Sequence, residues 1–196
     1  GAGDFVTDVI ATDGEALHLP GVASNYASVP DAADLDGFTN FTLEMKGVTL
    51  PDWTPSADKG LMAKYHTTGN QRSYYFGLTT AGNLELVVSF AGSDAVTYPS
   101  SAATGITDGA TADLMVMRNG VDVRFYVNGV QLGTDVTCVT TTLYNSTDVL
   151  GIGAYNTGVG QPLLGSVQRA RVWNSAVANQ ATPTETPVLD MNFTLA

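Results

Sequence analysis

The chain has 196 residues, 44% of them hydrophobic and 14% charged, with 21 glycines. That balance excludes intrinsic disorder, which needs high charge and few apolar side chains, and it leaves enough apolar residues for one sizeable core. Eight Lys and Arg against nineteen Asp and Glu give a formal charge of -11, which excludes nucleic acid as a partner, because polyphosphates are held by clustered cations.

Gly1-Ala2-Gly3 reads as an expression scar or a cleavage site, followed by a single domain over residues 4–196. Residues 4–10 alternate weakly and predict a first strand, closed by the turn Thr12-Asp13-Gly14. Two short strands follow at 16–21 and 26–30, closed by Pro20 and Pro30, since proline cannot donate to a ladder. Residues 38–46 alternate cleanly, with Phe41, Leu43 and Met45 inward and Thr42, Glu44 and Lys46 outward. The rigid loop 51–55 displays Trp53, either as a lid over the sandwich edge or as a stacking platform for a sugar. Residues 59–66 predict another strand, and a polar loop runs to Arg72. Residues 74–79 and 84–90 form a pair across Ala81-Gly82-Asn83, with Phe76, Leu78, Leu84, Leu86 and Val88 in the core and Tyr75, Glu85 and Val87 outside. Residues 92–109 read as a loose connection rich in Ser, Thr and Gly.

The strongest local signal is the stretch 113–133, which holds Asn119-Gly120 and Asn128-Gly129 between apolar, β-branched runs. Asn-Gly between such runs marks a hairpin, because both central residues must tolerate positive φ. Three antiparallel strands result. With two-residue turns at both sites, Val116 faces Val123, Leu114 faces Phe125, and Tyr126 faces Gln131. Leu114, Val116, Val123, Phe125 and Leu132 then share the core side, while Asp113, Met115, Met117, Asp122, Arg124, Tyr126 and Gln131 share the other. That second side is either an ordinary solvated face or a place for a polar ligand. Beyond it, 134–147 predicts one edge strand with a loop, 148–154 a short buried strand, and 164–174 the last long strand. Residues 176–181 suit a helical turn, and 188–194 suit a terminal strand returning beside the first. Many short strands with regular turns and almost no helix imply an all-β, two-sheet antiparallel sandwich. Cys138 is the only cysteine, so no disulfide forms within the chain, and no run reaches the roughly 18–20 apolar residues of a membrane span.

The order of motifs Leu17-His18-Leu19-Pro20-Gly21, Tyr26-Ala27-Ser28-Val29-Pro30, residues 38–46, Met117-Arg118-Asn119-Gly120, residues 125–130, Leu150-Gly151-Ile152-Gly153 and residues 165–174 resembles the laminin G-like branch of the concanavalin A-type jelly rolls. The resemblance spans roughly residues 16–174 and implies two curved sheets with one concave face. The chain is most similar to copies in bacteriophage structural proteins, on fibres, tail parts or capsid surfaces. That implies a virion-surface or extracellular setting and a non-catalytic decoration module that binds a cell-surface glycan. The alternative is a structural role in which it binds other virion proteins or a further copy of itself as a homo-oligomer.

Relatives of this fold include glycosidases, which need paired carboxyls. Here the Glu-x-Asp-x-Glu strand of that branch is absent, as are Gly-x-Ser-x-Gly and His-Glu-x-x-His, and His18 and His66 are the only histidines. An enzyme is therefore not expected, and no cofactor is required. The resemblance does imply a metal joining the N-terminal loop to the final strand, a structural calcium for which Asp13, the Gly14 carbonyl and Asp190 are the candidates; the alternative is that Asp13 only supports its turn and Asp190 faces solvent. A glycan needs an aromatic face for its C–H groups and planar polar side chains for its hydroxyls on a rigid surface. Two sets offer this: Tyr75, Tyr126, Arg124, Gln131 and Asp122 on the concave sheet, and Trp53, Tyr65, His66, Asn70, Tyr155 and Asn156 on rim loops.

Overall fold

Apolar and polar residues that alternate with a period of two build strands with one greasy face, and such strands must pair and then stack. The computed structural model describes residues 16–177 and 185–193. In chain order its strands are β1 (Leu17–Pro20), β2 (Ala27–Val29), β3 (Phe41–Thr49), β4 (Lys59–His66), β5 (Gln71–Leu78), β6 (Asn83–Val88), β7 (Val96–Ala103) and β8 (Thr111–Asn119). They continue as β9 (Asp122–Val127), β10 (Val130–Gln131), β11 (Val136–Thr137), β12 (Leu150–Ile152), β13 (Leu164–Val167), β14 (Arg169–Trp173) and β15 (Leu189–Asn192). One sheet has the order β1-β13-β3-β8-β9-β10, with β14 also on β3, β15 on β14 and β11 on β9. The other has the order β2-β12-β4-β5-β6-β7. All pairings are antiparallel among the described residues. The architecture is the all-β jelly-roll sandwich expected from the sequence. Its core lies between the sheets, where Leu43, Leu114, Val116 and Phe125 meet Phe76, Leu78, Leu84 and Leu86, all shut off from solvent. Each such side chain contributes roughly 1.5–3 kcal/mol of transfer free energy.

The three-stranded ribbon forms as predicted, with one correction. At the second turn Asn128 and Gly129 have φ of 52° and 77°, and Tyr126 faces Gln131 as expected. At the first, Asn119 pairs with Asp122, so the loop is Gly120-Val121 rather than Asn119-Gly120. Gly120, with φ of 61°, takes the first central position, the glycine site of a type II′ turn. Partners across β8 and β9 are displaced by two residues: Val116 faces Phe125 and Leu114 faces Val127. A displacement of two preserves side-chain parity. The predicted core face therefore survives, with Leu132 packed against it.

Other expectations need revision. The connection at 92–109 contains β7, which pairs with β6 and closes one edge of its sheet. Pro99 stands in it, and an edge strand is where a sheet accepts a residue with no N–H. The long strand at 164–174 is split at Gln168 into β13 and β14, opposite a register shift in β3 between Met45 and Val48. Gly47 sits in that bulge with φ of 60°, and a Cβ on it would lie 2.3 Å from Gln168 Oε1. β15 forms where predicted and, among the described residues, runs along β14; the first strand beside which it was expected lies outside them. β1 and β15 thus border the same broken strand, β1 on β13 and β15 on β14. The strand predicted at 4–10, Asp13 and Gly14 lie outside the described residues, as does most of the helical turn predicted at 176–181.

The middle of the outward face of β3, β8 and β9, at Thr42, Glu44, Met115, Met117 and Tyr126, is covered, while Asp113, Asp122 and Arg124 stay partly exposed and Gln131 exposed. Val177 N–H donates to Thr42 Oγ1, which donates to Ser175 O, and Ala176 packs on Met115, Met117 and Tyr126. Beneath this cover Arg171 pairs with Glu44 and lies 4.9 Å from the Trp173 ring centre. The buried Lys64 ammonium on β4 donates to Asp31 Oδ1 at 2.5 Å, to Asp36 Oδ1 at 2.7 Å and to Ser146 O, tying the β2–β3 and β11–β12 connections to that strand.

Candidate functional site

The open face belongs to the other sheet. Alternation turns Tyr74 and Phe76 inward and Tyr75 outward, and register places Ala63, Tyr75, Val87 and Thr97 in one cross-strand row. The neighbouring row holds Gly77 and Glu85. Gly77 lets the Tyr75 ring lie down along its own strand, because a Cβ there would fall 2.1 Å from the Tyr75 hydroxyl. The Tyr75 hydroxyl is 2.6 Å from Gln161 Oε1 and 3.0 Å from Lys59 O, and donates its one proton between them. Tyr155 approaches from the loop after β12, where it bridges to Gly160, and its ring lies over that glycine. Asn156 fixes this loop by accepting from Thr67 N–H at 2.8 Å.

Three tyrosines meet here. Tyr65 and Tyr75 have ring centroids 6.2 Å apart, and Tyr155 stands 5.7 Å from each, nearly perpendicular to both at 88° and 84°. Edge-to-face packing of this kind satisfies the ring quadrupoles and holds the rings still. They line a groove of about 220 Å³ together with Glu85, Gln161 and Thr97, and Val87 and Ala95 make its apolar wall. That volume lies below the roughly 300–1,000 Å³ of drug-sized sites and suits a single ring rather than a whole chain. Burial drives the Tyr75 hydroxyl well above its ordinary pKa, so it stays a donor. Glu85 is half-buried on β6, and its carboxyl is pushed up to about 7, first by desolvation and then by the nearby Asp58 carboxylate.

The structure unites Tyr65, Tyr75 and Tyr155 from the two predicted sets and separates the rest. Tyr126, Asp122, Arg124 and Gln131 belong to the opposite sheet, so the expected grouping of Tyr75 with Tyr126 does not occur. Tyr126 is 8% exposed, Arg124 is engaged by Asp135 and Asp122, and Gln131 Nε2 donates to Asp135 Oδ1 at 2.7 Å. Trp53 is 1% exposed, with its indole N–H donating to Ala110 O at 3.2 Å; it is the lid and not the platform. His66 Nδ1 lies 4.0 Å from Asp148 Oδ1, and Asn70 is exposed in the turn Thr68–Asn70 before β5. Glu85, Val87, Ala95, Thr97 and Gln161 are the groove residues that sequence reasoning missed; the outward position of Glu85 two strand residues from the tyrosine row was the available signal. For calcium, Asp190 is the one candidate ligand described, and Arg169 takes both its oxygens, Nε donating to Oδ1 at 2.7 Å. Among the described residues no group of three or more His, Cys, Asp or Glu is placed to hold a metal ion. Nor is any described helix long and apolar enough to cross a membrane.

Several solved structures share this fold. A CBM40 module of the Ruminococcus gnavus IT-sialidase, bound to α2,3 sialyllactose, is 14% identical with a TM-score of 0.61, over 83% of this chain and 91% of that one. A SAP-like pentraxin from Limulus polyphemus is 15% identical with a TM-score of 0.59, over 86% of this chain and 80% of that one. A leech intramolecular trans-sialidase is 14% identical with a TM-score of 0.61, over 89% of this chain and 28% of that one. At these identities the likeness is one of fold. A search of curated protein sequences gave no match. Residues 21–181, most of the chain, match the family model of the concanavalin A-like lectins and glucanases. The chain belongs to the concanavalin A-like lectin/glucanases superfamily.

Proposed function

We propose that the protein is a non-catalytic carbohydrate-binding domain whose ligand lies in the tyrosine groove on the outer face of β4 to β7. The observation that carries this reading is the triad of Tyr65, Tyr75 and Tyr155, locked edge to face beside a carboxyl and an amide. Aromatic rings take the C–H face of a sugar, and Glu85 and Gln161 supply the planar polar groups its hydroxyls need. A fold relative with sialyllactose bound supports the ligand class. Glu85 is the one carboxyl lining the groove, whereas glycoside hydrolysis works with two. No cofactor is needed for this role, and a calcium at Asp190 would have to displace Arg169. The setting we propose is the surface of a phage particle or another extracellular location, with a host glycan as partner.

The test is a glycan array followed by titration of the hits. Tyr155→Ala and Tyr65→Ala should each lower affinity by about tenfold or more while the melting temperature stays near that of the parent. Silence on every glycan, together with binding to capsid or fibre protein, would instead establish a structural role on the virion.

A further inference from the structure

The side chains that line the groove carry charge of one sign. Glu85 is its one carboxyl, no Lys or Arg side chain lines it, and Asp58 adds negative potential nearby. Among the described residues the Glu85 carboxyl has no hydrogen-bond or ion-pair partner. The neighbouring cations do not reach that carboxyl: Arg72, near Tyr65 at the other side of the groove, donates to Ser93 O, and Lys59 lines a separate hollow with Pro51 and Pro55. Burying a carboxyl without a counter-charge is costly, and here the cost appears as a proton held to about pH 7. A ligand that brings its own positive charge removes that cost.

We propose, building on the glycan reading of the same groove, that the sugar it selects carries a free amine. The ammonium supplies the counter-charge that Glu85 lacks, as a charge-assisted hydrogen bond, and the half-exposed Tyr65 and Tyr155 rings beside it attract a cation by their quadrupoles. The Tyr75 hydroxyl and Gln161 amide fix the polar floor, and Val87 and Ala95 take the C–H side of the ring. An acidic sugar would instead place a second carboxylate against Glu85 and Asp58, and like charges at that range oppose binding. The groove therefore differs in preference from the Ruminococcus gnavus module, which was solved with a sialylated sugar.

Calorimetric titration of the whole chain at pH 7.5, where the Glu85 carboxyl is mostly ionised, with three probes tests this: a glucosamine oligosaccharide, an N-acetylglucosamine oligosaccharide of equal length, and 3′-sialyllactose. The glucosamine probe should bind about tenfold more tightly than its acetylated counterpart, and sialyllactose weakest. Glu85→Gln, a neutral isostere at an unpaired site, should erase the preference for the amine while keeping the fold. Acetylated or sialylated probes binding as tightly as the amine, or a preference indifferent to Glu85→Gln, would overturn the amine proposal and leave a glycan groove standing. Absence of binding by all three probes, or binding unaffected by Tyr155→Ala, would overturn the groove itself.

Discussion

Glu85 links the stability of the domain to pH. Its carboxyl is raised from 4.5 to about 7, so the folded chain holds that proton more tightly than the unfolded chain. Its contribution to stability is therefore full below about pH 4.5 and is lost as pH rises through about 7. Between pH 5 and pH 8 the parent should lose on the order of 1–2 kcal/mol from this residue, after allowance for solvent screening of a half-buried group. Glu85→Gln should be spared that loss. Urea denaturation at the two pH values measures it, and parallel behaviour of both proteins would refute the assignment. In the sequence Glu85 was legible as an outward residue but not as a site residue. An isolated glutamate on an alternating strand looks the same whether its neighbour across the sheet is solvent or a ring, and only the register with Tyr75 and the approach of Tyr155 distinguish the two. Tyr65 and Tyr155 stand ninety residues apart along the chain, so their contact had no local trace.

At the scale of the element, what the sequence determines locally it reveals well. Alternation placed Phe76, Leu78, Leu84, Leu86 and Val88 in the core because a strand has only two sides. Turn placement was less secure. Asn119-Gly120 and Gly120-Val121 both suit a two-residue loop, and the contacts that favour the second come from far away: Asn40 Oδ1 accepts from Gly120 N–H, and Cys138 N–H donates to Val121 O. The bulge at Gly47 is a second case, since its cause is Gln168 on a distant strand. Gly47→Ala should destabilise the domain by about 1–3 kcal/mol through its positive φ and the clash with Gln168. Pairing it with Gln168→Ala should return the steric part but not the backbone part. Thermal melts of the single and double variants measure both, and an unchanged melting temperature for Gly47→Ala would show that the bulge can slide.

For the whole molecule, the sequence specified two sheets but not which outward face stays open. Tyr75 and Tyr126 occupy equivalent positions in their alternation and both are nearly buried, at 4% and 8% exposed, but Tyr75 lies under two rings that themselves line a groove, whereas Ala176 packs across Met115, Met117 and Tyr126. The covered sheet is also the one whose edge holds β1 and β15, while the tyrosine groove faces outward from the other layer. Coupling to a solid support through Leu164→Cys, exposed on β13 in the covered sheet, should leave sugar capture at full capacity. Coupling through Thr97→Cys, on the groove, should abolish it. Equal capture from the two orientations would place the ligand elsewhere. If the prediction holds, a carrier fixed to the layer that bears β1 and β15 sits behind the groove, as a wrist sits behind a palm, and casts no shadow on it.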